Sequence, residues 1–238
     1  MSKKVLVLGL GNFGSELARR LTHEEMEVTG VDINHHIVDL YKDSITNVIE
    51  GDASKDEVMK ELEVSLYDFC IVCIGHDVGI SLTMVALLKK YEAKSIYARA
   101  INNIHWQILS LLRVKYIFEP EIESARRLAM QIASKIIYDA FPISKNYIAV
   151  EINIPKSYEN LKLGDIKIND DINILMLKRY SYKESPFERS ELYYDPSFEY
   201  TPANDPKTLL HKNDRLVLFG PIEKIREYVK IYDKEIEE

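Results

Sequence analysis

Apolar and polar positions fall into two regimes along this chain. Up to residue 118, short apolar runs alternate with segments whose apolar residues recur every three or four positions. Residues 5–8, rich in Val and Leu, read as a strand buried on both faces. Leu17, Ala18 and Leu21 follow at helical spacing, and residues 28–31 make a second strand. A short helix is predicted over 37–41 and a third strand over 47–50. Ser54, with Glu57 three residues later, reads as a capping box opening a helix that carries Val58, Met59 and Leu62. Strands over 69–74, 95–98 and 115–118 then alternate with helices around residues 80–88 and 103–112. Strict alternation of this kind predicts an α/β, Rossmann-type, doubly wound parallel sheet.

After Pro120 the helical pattern runs on to about Ala140, through Ile122, Ala125, Ala129, Ile132, Ala133, Ile136 and Ile137, and Pro142 stops it. Its apolar face is wider than one neighbouring layer needs, so a crossover helix is expected, with Ile132 and Ile136 meeting a second copy. Residues 148–154, 172–177 and 215–219 then read as strands, and 222–231 as a helix. The expected organisation is a nucleotide-binding domain over 1–140 and a small α+β regulatory domain over 141–238. Residues 181–205, rich in aromatic residues, Pro and both charges, are expected to form a long hairpin or surface loop.

The candidate chemistry sits at the first strand's end. Gly9, Leu10, Gly11, Asn12, Phe13 and Gly14 have the spacing G-x-G-x-x-G. In that spacing the first glycine makes the tight turn, the second admits a pyrophosphate, and the third lets helix and strand pack closely. The motif follows a strand, opens a helix, and is answered about twenty residues on by Asp32, placed to accept ribose hydroxyls. Ile33, Asp52 with Ala53, and Ile74 with Gly75 complete the same edge, since open α/β sheets bind ligands at strand C-termini. Asp52 suits either an adenine amino group or a capping role, and Arg99 either a phosphate or a surface ion pair. Asn102 lies on the next loop, and the nearby His105 reads as structural.

Cys70 and Cys73 spell C-x-x-C within a strand, where residues three apart face opposite ways, so both are expected as core thiols. Trp106 is expected to pack. The net charge of -7 disfavours nucleic acid. No stretch reads as a membrane span, and Lys3 and Lys4 precede a glycine loop rather than a cleavable apolar segment. A cytoplasmic protein without direct membrane insertion is expected. No catalytic motif accompanies the glycine loop, so an enzyme is not expected; an NAD-dependent oxidoreductase is the alternative, and a redox-sensing repressor a third reading.

These residues resemble a family. Gly9 to Gly14, residues 31–34, 51–53 and 98–102 with His105, and Glu119-Pro120-Glu121 are similar to the nucleotide-binding domain of the Trk/Ktr-type (RCK) regulators of bacterial potassium uptake. Residues 212–220 are similar to that family's C-terminal domain. The resemblance implies a homo-dimer assembling into a ring, peripheral to the inner face of the cell membrane through a membrane potassium transporter subunit. It implies an adenine nucleotide, ADP, ATP or NAD(H), as the sensed ligand. It also implies that Glu121 from two subunits shares a divalent Mg or Ca ion. Where many Ktr-type members carry arginine after the second glycine, this chain has neutral Asn12.

Overall fold

A computed structural model of the protein describes residues 2–180, 198–203 and 205–235. The chain divides into two compact units, Met1–Pro120 and Glu121–Glu238. The first boundary thus falls at the start of the crossover helix, ahead of the expected 140.

In the first unit, strands β1 (Lys4–Leu8), β2 (Glu27–Asp32), β3 (Asn47–Glu50), β4 (Phe69–Val72), β5 (Ile96–Arg99) and β6 (Tyr116–Phe118) form one parallel six-stranded sheet in the order β3-β2-β1-β4-β5-β6. The helices between them are α1 (Asn12–His23), α2 (His35–Tyr41), α3 (Asp56–Glu61), α4 (Val78–Lys90) and α5 (Asn103–Leu111). Alternation along β1 explains why its sequence is apolar from Val5 to Leu8. Leu6 and Leu8 enter the core shared with Met59, Val85, Leu88 and Leu109 of α3, α4 and α5. Val5 and Val7 enter the opposite core, with Ala18 of α1 and Val28 of β2. Cys70 lies in the first core and Cys73 in the second, on opposite faces as expected. Burial pushes both thiols up to about 12, so neither is a thiolate near neutrality.

Two local expectations fail here. The helix after Ser54 starts at Asp56 without a side-chain cap, because the Ser54 hydroxyl donates to Asp52 Oδ1 at 2.6 Å instead. Trp106 is 39% exposed on α5, whose inward positions are taken by His105 and Leu109.

The second unit opens with α6 (Pro120–Ile132), followed by β7 (Ile137–Pro142), β8 (Tyr147–Asn153), β9 (Asn173–Tyr180), β10 (Phe198–Pro202), β11 (Arg215–Pro221) and α7 (Ile222–Glu235). Its strands form an antiparallel five-stranded sheet in the order β10-β9-β11-β8-β7. The core gathers Ile148, Val150 and Ile152 of β8, Leu216 and Leu218 of β11, and Ile225 and Val229 of α7. The expected hairpin or loop over 181–205 lies mostly outside the described residues; its flanks β9 and β10 pair antiparallel.

The expected helix to Ala140 is corrected: α6 ends at Ile132, and the residues read as its last turns form β7. Ser134 and a distant residue make the break. The Ser134 hydroxyl donates to Asp233 Oδ1 at 3.0 Å while accepting from the Ile136 and Ile137 N–H groups. Asp233 also accepts from the Lys135 N–H at 2.9 Å. Backbone groups that a helix would pair internally are thereby satisfied in a turn.

Ile132 and Ile136 consequently have different fates, the first 78% exposed and the second fully buried in the second core. Ile136→Glu should destabilise the second unit by about 3 kcal/mol or more, since it buries an unpaired carboxylate. Ile132→Glu should shift stability by no more than about 0.5 kcal/mol. Urea unfolding of both variants checks this, and equal losses would contradict the burial assignment.

Candidate functional site

The loop between β1 and α1 is fixed by contacts that tolerate only glycine at two positions. Gly9 has φ +91, in the left-handed region, and a Cβ there would stand 2.8 Å from Ile74 Cδ1. At Gly14 a Cβ would stand 1.9 Å from the Gly9 carbonyl oxygen, so α1 begins directly against the loop that precedes it. Gly11 differs: nothing lies within 4 Å of its Cβ position, leaving open space at the N-cap of α1. Its carbonyl accepts from the Ser15 N–H and hydroxyl, both at 2.9 Å. The exposed backbone at this helix N-terminus is suited to an anion. Asn12 is exposed beside it, while Phe13 turns inward and stacks on Phe118 at 5.1 Å between centroids.

Asp32 ties the second strand to that loop. Its Oδ2 accepts from the Leu10 N–H at 2.7 Å and its Oδ1 from the Asn34 N–H at 2.9 Å. Each carboxylate oxygen keeps a further lone pair for a ligand hydroxyl. Ile33 beside it is 68% exposed and offers an apolar surface. The third strand brings Asp52, whose Oδ1 accepts from the Ser54 hydroxyl and N–H. That hydroxyl, above all, holds the Asp52 carboxyl below its usual range. Its Oδ2 faces Lys55 at 3.9 Å, and Ala53 beside it is buried.

On the other side of β1, Ile74 closes over Gly9, and Gly75 carries the Arg99 side chain. A Cβ on Gly75 would stand 2.4 Å from Arg99 Nη1, so the guanidinium lies directly on the Gly75 backbone. That contact joins the ends of β4 and β5 and is invisible in the spacing of the two residues. Asn102 is engaged as a helix cap, its Oδ1 accepting from the His105 N–H at 2.9 Å. His105 is fully buried, its Nδ1 accepts from the Ile101 N–H at 3.2 Å, and burial lowers its pKa. It shapes the loop as a neutral ring.

The structure therefore places the candidate residues of β1 to β5 along one edge of one sheet. It brings the glycine loop into contact with Asp32 and Ile74, and Gly75 with Arg99. Glu121 is exposed in the first turn of α6, in the second unit. Among the described residues no group of three or more His, Cys, Asp or Glu side chains is arranged to hold a metal ion. Two features escaped the sequence reading: the Asp32 bond to Leu10, and a His35–Glu50 pair at 2.7 Å on the same edge. The position of His35, three residues after Asp32, was the available signal for the second.

Residues 5–120 match the family model of the TrkA-N domain. Ktr system potassium uptake protein C of Bacillus subtilis (strain 168) is 28% identical over 232 residues, covering 97% of this chain and 97% of that protein. The solved GsuK RCK domain overlays 98% of this chain and 48% of its own with a TM-score of 0.65 at 16% identity. The solved GsuK channel bound to NAD overlays 96% of this chain and 39% of its own, with a TM-score of 0.63 at 17% identity. This chain thus spans less than half the length of those two solved structures, and the likeness to them is one of fold.

The glycine contacts yield a stability test. Gly14→Ala should cost about 2 kcal/mol or more, because its methyl group overlaps the Gly9 carbonyl and α1 must move. Gly11→Ala, facing open space, should cost at most about 1 kcal/mol, the penalty of alanine at an N-cap. Thermal unfolding that ranks the two variants the other way would contradict the loop geometry.

Proposed function

We propose that this chain, with a TrkA-N domain match over residues 5–120 and a Ktr relative matching 97% of its length, is a Trk/Ktr-type RCK protein and a nucleotide-sensing regulatory subunit of a membrane potassium uptake transporter. One observation carries the nucleotide reading. The Asp32 carboxylate is bonded to the glycine loop at Leu10, which sets a ribose acceptor beside a phosphate-facing backbone. In this reading Gly9 to Gly14 cradle the phosphates, Asp32 accepts the ribose hydroxyls, and Ile33, Asp52 and Ala53 border the adenine. Ile74, Gly75, Arg99 and Asn102 line the far side of the loop.

The ligand is an adenine nucleotide, and NAD(H) is favoured over ATP. Neutral Asn12 brings no charge to a terminal phosphate, and the GsuK channel, which shares this fold, has been solved bound to NAD. The role is regulatory and not enzymatic, in line with a relative named as a potassium uptake protein. No helix among the described residues is long and apolar enough to cross a membrane, so contact with the bilayer would come through the transporter. The protein works at the inner face of the cell membrane as a homo-dimer within a ring. Nucleotide binding shifts the ring by its difference in affinity for two conformations, typically about 1–3 kcal/mol of coupling. Glu121, repeated by symmetry, would share a Mg or Ca ion between subunits, turning the repulsion of two carboxylates into attraction.

Calorimetry with NADH tests the site. Asp32→Asn keeps an acceptor oxygen for the Leu10 N–H but loses the charge, and should weaken binding by about 1–3 kcal/mol. An unchanged affinity would remove Asp32 from the site. For the cation, millimolar Mg²⁺ or Ca²⁺ should raise the melting temperature of the NADH-bound protein, and Glu121→Gln should abolish the increment without changing NADH affinity. A wild-type melt that ignores both ions would leave Glu121 as a helix-start residue that complements the dipole.

A further inference from the structure

The C-terminal ends of β2 and β3 carry, beside Asp32, residues that the nucleotide reading leaves unused. Asp32 and Glu50 are register partners on these adjacent parallel strands, so two carboxylates stand at neighbouring strand ends. His35, the first residue of α2, faces carboxylates with both ring nitrogens. Its Nδ1 is 2.7 Å from Glu50 Oε2, and its Nε2 is 3.3 Å from Asp39 Oδ2. A neutral imidazole carries one N–H and cannot donate to both, whereas the imidazolium can. The imidazolium form satisfies both contacts at once.

We propose that His35 determines how the site treats a phosphate on the ribose 2′ position. As an imidazolium it offsets the carboxylates at the ribose end, and as a neutral ring it leaves them to repel that phosphate. The inference rests on the nucleotide reading and deepens it. In dinucleotide sites this loop decides between a 2′-hydroxyl, taken by the acidic residue, and a 2′-phosphate, accommodated by a nearby arginine. Here the loop offers a cation whose charge depends on pH.

The groups that face His35 come from two elements, Glu50 from β3 and Asp39 and Lys42 from α2. The hydrogen bond to Glu50, then the charges of Asp39 and Glu50, raise the pKa of His35, with Lys42 opposing. Below that raised value, three carboxylates (Asp32, Asp39, Glu50) are set against two cations, His35 and Lys42. Above it they are set against Lys42 alone, and the local charge becomes more negative by one. A 2′-phosphate carries about −1.5 to −2 near neutrality, so discrimination against it grows as pH rises through the His35 transition. His35 is 72% exposed at its side chain, so solvent and salt screen the effect to a few-fold.

The test compares dissociation constants for NADH and NADPH, which differ only at the 2′ position, for wild type and His35→Gln at pH 6 and pH 8.5. At pH 6 the NADPH-to-NADH ratio should be about three- to five-fold higher for the variant, the size expected of one unit charge removed within a Debye length. At pH 8.5 the two proteins should agree. Titration of the 2′-phosphate itself is common to both proteins and cancels. Glu50→Gln, which removes one of the repelling charges, should lower the ratio at pH 8.5. Wild type and variant binding NADH with identical ratios at both pH values would overturn the role of His35 alone. Wild type failing to bind NADH at any pH would overturn the nucleotide site, and this inference with it.

Discussion

The first unit depends on one close approach, that of Gly14 to the carbonyl of Gly9. A β-carbon at residue 14 cannot exist at 1.9 Å from that oxygen, so the position of α1 against β1 is available only to glycine. Once α1 is there, its first turn opens beside Gly11, where the structure leaves space and no side-chain cap. The left-handed Gly9 turns the chain sharply enough for its own N–H to reach the Val31 carbonyl at 2.8 Å. Leu10 then meets Asp32 one residue on. The exposed backbone at the start of α1 and the Asp32 carboxylate are thus held by the same few bonds.

How much of this was legible follows from how local each feature is. β1 was readable because its four apolar residues divide between two cores, which only a parallel sheet covered on both faces requires. The glycine loop and Asp32 were readable because their spacing encodes their geometry. The opposite faces of Cys70 and Cys73 followed from strand alternation alone. By contrast, Ile132, Ala133, Ile136, Ile137 and Ala140 fit a helical period, yet those from Ile136 onward lie in or beside a strand. What decides the matter is Asp233, which accepts from Ser134, Lys135 and Ile136 from almost a hundred residues further along the chain. Ser54 failed as a cap for a more local reason: the neighbouring Asp52 competes for its hydroxyl and wins with a charged acceptor. The seat of Arg99 on Gly75 joins two strand ends and left no trace in either motif.

The two units are built on different terms. The first buries almost purely apolar cores, with Thr29, Ser15, Ser81 and His105 as its buried polar side chains. Among its described residues the second buries three carboxylates, Asp139, Glu151 and Asp214, each with cationic partners. Glu151 meets Lys178 and, at 3.1 Å, Arg215; Asp214 accepts from Arg179 Nε and Nη2 at 3.2 and 2.8 Å; Asp139 pairs with Arg127. Such pairs add little net stability over apolar substitutes but are costly to break singly. They therefore fix register across β8, β9 and β11, since a slip would strand a charge in the interior. Shifting this sheet's strands gradually is unfavourable; whole pairings must be exchanged.

Helix α6 stands apart from both of these arrangements. Its thirteen residues include none that is buried, while Ile122, Leu128 and Ile132 are 47%, 55% and 78% exposed. An isolated helix of that length is marginal in water, and its order comes from whatever covers its apolar side. Within its own unit α6 is tied to β7 through Arg127 and Gln131, both of which reach the Asp139 carboxylate. Losing α6 would leave the buried Asp139 carboxylate without Arg127, so the order of the helix and the pairing at one end of the second sheet depend on each other.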